Sequence, residues 1–236
     1  ALMLPLLALL AAAPNLTTVA ERSGFTETGR LDEVQTLCSA FPRAFPGKVK
    51  CEPFGTTPLG RPMLVFVASA DGTFAPDVAR KKNRPVLFLQ GGIHAGEIDG
   101  KDAGFWLLRD VLEGKVLPGV LAKVTLVFVP IFNVDGHERF GPNQRPNQNG
   151  PKAMGWRVTS QNLNLNRDYA KADAPEMHAM LTLLHRWDPV LFADLHVTDG
   201  AKFQHDVSIT FEPSNIGPDG QRSLGRSLQV SLFAEL

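Results

Sequence analysis

Apolar residues recur at helical spacing over residues 30–41, at Leu31, Val34, Leu37, Cys38 and Phe41. That stretch is predicted as an amphipathic helix, stopped by Pro42. Residues 49–54 and 62–69 are short, and the second is almost wholly apolar and β-favouring. Turn residues at 56–60 separate them, so the pair is predicted as a hairpin. Residues 85–91 hold the run Val86-Leu87-Phe88-Leu89 and end in Gly91-Gly92, the pattern of a buried central strand. Residues 97–112 return to helical spacing through Ala103, Trp106, Leu107 and Val111. A second buried strand is predicted at 124–130 and a third at 190–196. Between them lie a long Asn-, Gln-, Pro- and Gly-rich loop over 136–161 and a helix over 174–187, with Asp173 as its N-cap and Pro175 in its first turn. Residues 227–236 read as a helix cut off in mid-pattern. Strands alternating with helices predict one α/β layer domain with a mostly parallel sheet.

Composition changes this picture little. The 236 residues carry 24 basic and 24 acidic side chains, which removes the electrostatic argument for a nucleic-acid partner. No segment in the body of the chain is apolar for long enough to span a membrane. The apolar run 1–13, closing on Ala11-Ala12-Ala13-Pro14, reads as the remnant of a secretory signal peptide. Export to the periplasm or beyond follows from that reading. The two cysteines, Cys38 and Cys51, are then either a disulfide or a pair of buried thiols.

Candidate chemistry falls at the carboxyl ends of the predicted strands, where open α/β sheets place their sites. His94-Ala95-Gly96-Glu97 follows directly on the first central strand. An imidazole and a carboxylate three residues apart across a tight turn can reach one ion, and Gly91, Gly92 and Gly96 give the backbone freedom to make it. A catalytic zinc site takes three protein ligands and keeps a fourth position open. His196, at the end of the last strand, is the best third ligand. His178 and His185 lie on a helix and are expected in solvent. His137 and His205 are expected in loop or edge positions.

Together these segments resemble the carboxypeptidase A-like zinc metallopeptidases. Gly91-Gly92-Ile93-His94-Ala95-Gly96-Glu97 is similar to their first zinc-binding segment, and Asn133-Val134-Asp135-Gly136 to their Asn-Pro-Asp-Gly turn. Gly155-Trp156-Arg157, Leu165-Asn166-Arg167 and Asp194-Leu195-His196 follow in the family's order. The resemblance implies a three-layer α/β/α sandwich with a mixed, mostly parallel sheet, truncated before its last strands. It implies one Zn²⁺ held by His94, Glu97 and His196. Arg157 is then the oxyanion-stabilising residue, and Asn166 and Arg167 bind the free carboxylate of a peptide substrate.

Three departures from the family pattern carry expectations. Gly96 stands where the family has an arginine, so one positive contact is expected to be gone and the pocket to be roomier. Asn164 stands where an aspartate commonly orients a zinc-bound histidine. Its amide oxygen could still accept from the imidazole, and Asp194 could compensate because it shares a strand face with His196. The general-base glutamate is expected beyond residue 236. Two other activities fit the same residues: a zinc amidohydrolase acting on N-acyl amino acids, and a zinc- and peptide-binding domain without catalysis. The long loop and the leader favour peptides.

Overall fold

The computed structural model describes residues 14–213 and 215–235; the predicted leader lies outside them. The described residues form two compact units, divided after Asp199.

The first unit is built on a five-stranded sheet. The predicted hairpin is β1 (Val49–Thr56) and β2 (Pro62–Ala68), antiparallel with Val49 opposite Ala68. The central strands are β3 (Val86–Gly91) and β4 (Thr125–Val129), and the last is β5 (Leu191–Leu195). The order is β1-β2-β4-β3-β5. β2 runs antiparallel to β4, whereas β3 is parallel to both β4 and β5. The sheet is therefore mixed, and its parallel pairings all lie in the half that carries the predicted site.

Helices cover both faces. The helices of this unit are α1 (Val19–Arg22), α2 (Leu31–Ala44), α3 (Pro76–Lys81), α4 (Asp99–Glu113), α5 (Val134–Glu138) and α6 (Pro175–Trp187). On one face Phe41 of α2 and Phe105 of α4 meet Phe66 of β2, and Phe105 also meets Phe128 of β4, all at ring separations of 5.3–6.1 Å. On the other face α6 approaches β1 so closely that a Cβ on Gly55 would lie 2.7 Å from Ala179. Alternation along the strands delivers this. Even-numbered Phe66 and Phe128 face α2 and α4, and Met63, Val65 and Val67 face the opposite way. Cys38 and Cys51 form a disulfide that joins α2 to β1.

Four local expectations are corrected. Pro42 does not stop α2, which runs on to Ala44. Phe41 beside it is fully buried, and its carbonyl accepts from Phe45 N at 2.9 Å, so packing outweighs the lost backbone donor. Asp173 does not cap α6, whose N-cap is Ala174. The carboxylate of Asp168 takes the amides of Asp173 and Ala174, at 3.0 and 2.9 Å. β5 is not buried, because it pairs only with β3 and leaves its outer edge unpaired among the described residues. His137 is in α5, not a loop, and is buried.

In the second unit the regular element is α7 (Asp219–Glu235). Among the described residues no helix is long and apolar enough to cross a membrane.

Candidate metal and substrate site

β3 ends in a turn that only glycine makes without strain: Gly92 has φ +65°. The chain then closes a tight turn in which Glu97 N donates to His94 O at 2.9 Å. This puts the His94 and Glu97 side chains together, both buried. The parallel pairing of β3 with β5, Gly91 opposite Leu195, brings His196 to the same edge. His94 Nδ1 lies 2.8 Å from Glu97 Oε1, and His196 Nδ1 lies 2.8 Å from Glu97 Oε2. One ligand atom from each of the three residues falls within 4.8 Å of the others. Two imidazoles and a carboxylate at this spacing are the donor set of a zinc site with an open position. His94 Nε2 is buried without a hydrogen-bond partner among the described residues.

The three groups also hold one another's charges. Burial alone would raise the Glu97 carboxyl. Hydrogen bonds from His196 and His94, with the charges of His94 and Arg145, outweigh it and hold the group well below the usual carboxylate range. The Asp194 and Glu97 carboxylates push the His196 imidazole up to about 10.

Outer contacts differ from those expected. Asn164 does not reach His94. Its side-chain oxygen accepts from Asn166 N at 3.1 Å, capping the 3₁₀ turn Leu165–Arg167. Asp194 does reach His196, Oδ2 lying 3.2 Å from Nε2. Gln90, which sequence reasoning missed, holds Asp194 by an Nε2–Oδ1 bond of 2.9 Å and contacts Tyr169 Oη. Burial, then the Asp194 charge, raises Tyr169 to about 12, so it remains a neutral phenol. The alternation of β3 and β5 could have paired Gln90 with Asp194, since they are register partners on one face.

The Asn-Val-Asp-Gly turn anchors the rest of the site. Asn133 caps α5 by accepting from Gly136 N at 3.0 Å, and its amide donates to Arg157 O at 3.2 Å. Trp156 N donates to Gly136 O at 2.8 Å. The Gly155-Trp156-Arg157 segment is thereby fixed beside the end of β4. Arg157, half-exposed, lines a cleft of about 670 Å³ with Trp156, Arg145, Gln148 and Asp199. Arg167 is exposed and donates to Asn166 O at 2.7 Å. Neither Asn166 nor Arg167 is among the residues lining that cleft.

The gap expected at Gly96 is filled. A Cβ there would lie 2.7 Å from Arg145 Cγ and 2.6 Å from Gly155 O. Arg145, from the long loop, lies in the space a side chain at 96 would need, and its Nη2 donates to Glu97 Oε1 at 2.7 Å. A positive contact to Glu97 is thus supplied from the long loop. Sequence gave no signal for this, since Arg145 is distant in the chain. The remaining histidines stand apart. His178, His185 and His205 are exposed. His137, which burial pushes down, pairs with Glu138 at 3.2 Å.

Comparison with known proteins decides the family. The profile of the zinc carboxypeptidases matches residues 34–215, most of the chain. The protein belongs to the zinc carboxypeptidase family. Over 91 residues it is 30% identical to carboxypeptidase B of Helicoverpa zea, covering 36% of this chain and 21% of that protein. Over 163 residues it is 26% identical to carboxypeptidase A4 of Mus musculus, covering 64% of this chain and 36% of that protein. The chain thus spans about a third or less of those relatives. The fold matches carboxypeptidase A of Helicoverpa armigera with a TM-score of 0.57 at 17% identity, over 72% of this chain and 46% of that one. Zinc and peptide substrates are the family's cofactor and substrate class, and His94, Glu97 and His196 of this chain form a donor set that could hold such an ion.

Proposed function

We propose that this protein is a metallocarboxypeptidase that hydrolyses the C-terminal amide bond of peptides, with one Zn²⁺ held by His94, Glu97 and His196. The convergence of the two Nδ1 atoms on the two oxygens of Glu97, each at 2.8 Å, carries this reading. A zinc ion held by these three residues would supply Lewis-acid activation of a water and of the scissile carbonyl. Arg157 stabilises the negative charge that develops on the carbonyl oxygen. It sits in the cleft beside the triad with its backbone fixed by Asn133. Asn166 and Arg167 bind the terminal carboxylate, for which a guanidinium offers a planar fork. Asp194 fixes the His196 ring through Nε2, leaving Nδ1 for the ion. We also place the protein in an exported compartment, periplasmic or secreted. The Cys38–Cys51 disulfide supports this, since such bonds persist where the surroundings are oxidising.

Arg167→Ala tests the exopeptidase assignment. In the full-length protein it should raise KM and lower kcat/KM about tenfold or more for peptides with a free terminal carboxylate. Amidated peptides cut as well as free ones, before and after the change, would show the assignment to be wrong.

A further inference from the structure

Arg145 has no role in the chemistry just described, yet its surroundings are unusual. Its side chain is only 5% exposed. Nη2 donates to Glu97 Oε1 at 2.7 Å and to Asp199 Oδ1, and Nε donates to Gln148 Oε1 at 3.1 Å. Nη1 is buried and has no hydrogen-bond partner among the described residues. A buried charged donor left without an acceptor is costly, so the site is short of an acceptor. Gly96 makes room for this side chain: a Cβ there would collide with it.

Asp199 shows what kind of acceptor fits. Its carboxylate takes Arg145 and also Arg157 Nη1, the latter at 3.5 Å, so it lies between two guanidiniums of the same cleft. Yet the Asp199 side chain is 64% exposed. Displaced, Asp199 would return to water, in which most of its side chain already lies, while Arg145 would keep a carboxylate partner in the ligand.

We propose that Arg145 and Arg157 form a second carboxylate-binding site in the substrate cleft, occupied by Asp199 in the ligand-free chain, and that the protein prefers acidic peptides whose Asp or Glu side chain displaces Asp199. This rests on the reading of the cleft as a peptide site. It adds a carboxylate to the terminal one assigned to Asn166 and Arg167. The occupant already present is a carboxylate, and the planar guanidinium fork matches that group.

The test measures binding to the zinc-loaded full chain by calorimetry. The probes are N-acetylated alanine tripeptides carrying one Glu at the first, second or third position, their Gln counterparts, and both sets as C-terminal amides. The unaltered protein should bind the Glu peptide about tenfold tighter than its Gln counterpart in at least one position. Arg145→Gln should bring that ratio close to one, and Arg145→Lys should keep part of it. Asp199→Asn should tighten binding of the Glu peptide, an outcome that does not depend on Arg145→Gln folding. The proposal is overturned if the unaltered protein binds Glu and Gln peptides equally at every position. It is also overturned if Arg145→Gln weakens both alike, or if Asp199→Asn weakens the Glu peptide. The amides separate this proposal from the reading beneath it. A Glu preference that survives amidation, with free and amidated ends bound equally, removes the terminal-carboxylate assignment and leaves this one standing.

Discussion

In the antiparallel half of the sheet, two buried carboxylates, those of Asp135 and Glu138, are fully partnered. Asp135 accepts from Thr57 Oγ1, Leu59 N, Arg61 Nη1 and Ser160 Oγ, at 2.6–3.2 Å. It thereby ties the turn between β1 and β2 to the long loop. In α5, Glu138 takes Leu31 N at 2.9 Å and Arg30 Nη2 at 2.8 Å, so it caps α2 from a distance. The disulfide adds a covalent tie between α2 and β1. At the carboxyl edge of the parallel half the account stays open. His94 Nε2 and Arg145 Nη1 are buried and unpartnered among the described residues, and three groups that could hold a metal ion crowd together. Native proteins satisfy most buried polar groups. Unpartnered oxygens of Glu33 and Glu176 also lie on the helices packed against β1, so what sets the carboxyl edge apart is that its unpartnered nitrogens stand beside three groups that could hold a metal ion.

The contrast breaks most sharply if the ligand triad is removed. His94→Ala combined with His196→Ala should abolish stoichiometric zinc binding, measured by metal analysis after dialysis. Retained metal would place the ion elsewhere. Next, Cys38→Ser with Cys51→Ser should cost about 3 kcal/mol in urea unfolding and leave zinc affinity unchanged. A fall in zinc affinity would mean that the two halves are coupled. Asp194→Asn removes a charged partner of His196 and should weaken zinc about 10–100-fold in competition with a chelator. An unchanged affinity would show that Gln90 and Asp194 do not serve the metal.

The smallest effect concerns acid stability. Burial favours the protonated form of Glu138, but hydrogen bonds from His137 and Leu31 N, with the charges of His137 and Arg30, win. They hold the group at about 2, against an ordinary 4.5. Because its folded value is depressed, Glu138 stabilises the fold fully above about pH 4.5, and the contribution is lost as pH falls through about 2. Discounted for its partial exposure to solvent, this is roughly 1–2 kcal/mol. Glu138→Gln should remove it and flatten the dependence of stability on pH across that window. An unaltered acid limb would assign the effect to other carboxylates.

Much of this was legible along the chain. Helical spacing located α2 and α4, apolar runs bounded by turn residues located the hairpin, β3 and β4, and a proline in its first turn marked α6. The His-x-x-Glu turn was legible for a related reason: both side chains lie within one tight turn, so their proximity is local. What failed was non-local. Pro42 read as a stop until Phe41 was seen in the core. Asp173 read as a cap until Asp168 was found holding the same amides. β5 read as buried because its apolar run does not reveal which strand ends at the edge of a sheet.

By itself the sequence determined the class of fold, the turn that joins His94 to Glu97, and the order of segments that marks a zinc carboxypeptidase. Each depends on residues close together in the chain or on a pattern repeated along it. The tertiary structure alone decided that Arg145 fills the space over Gly96, that Asp194 serves His196 while Asn164 serves its own turn, and that Asp199 lies between Arg145 and Arg157. Those contacts join residues far apart in the chain, and which polar groups meet there is set by strand register and loop closure rather than by spacing.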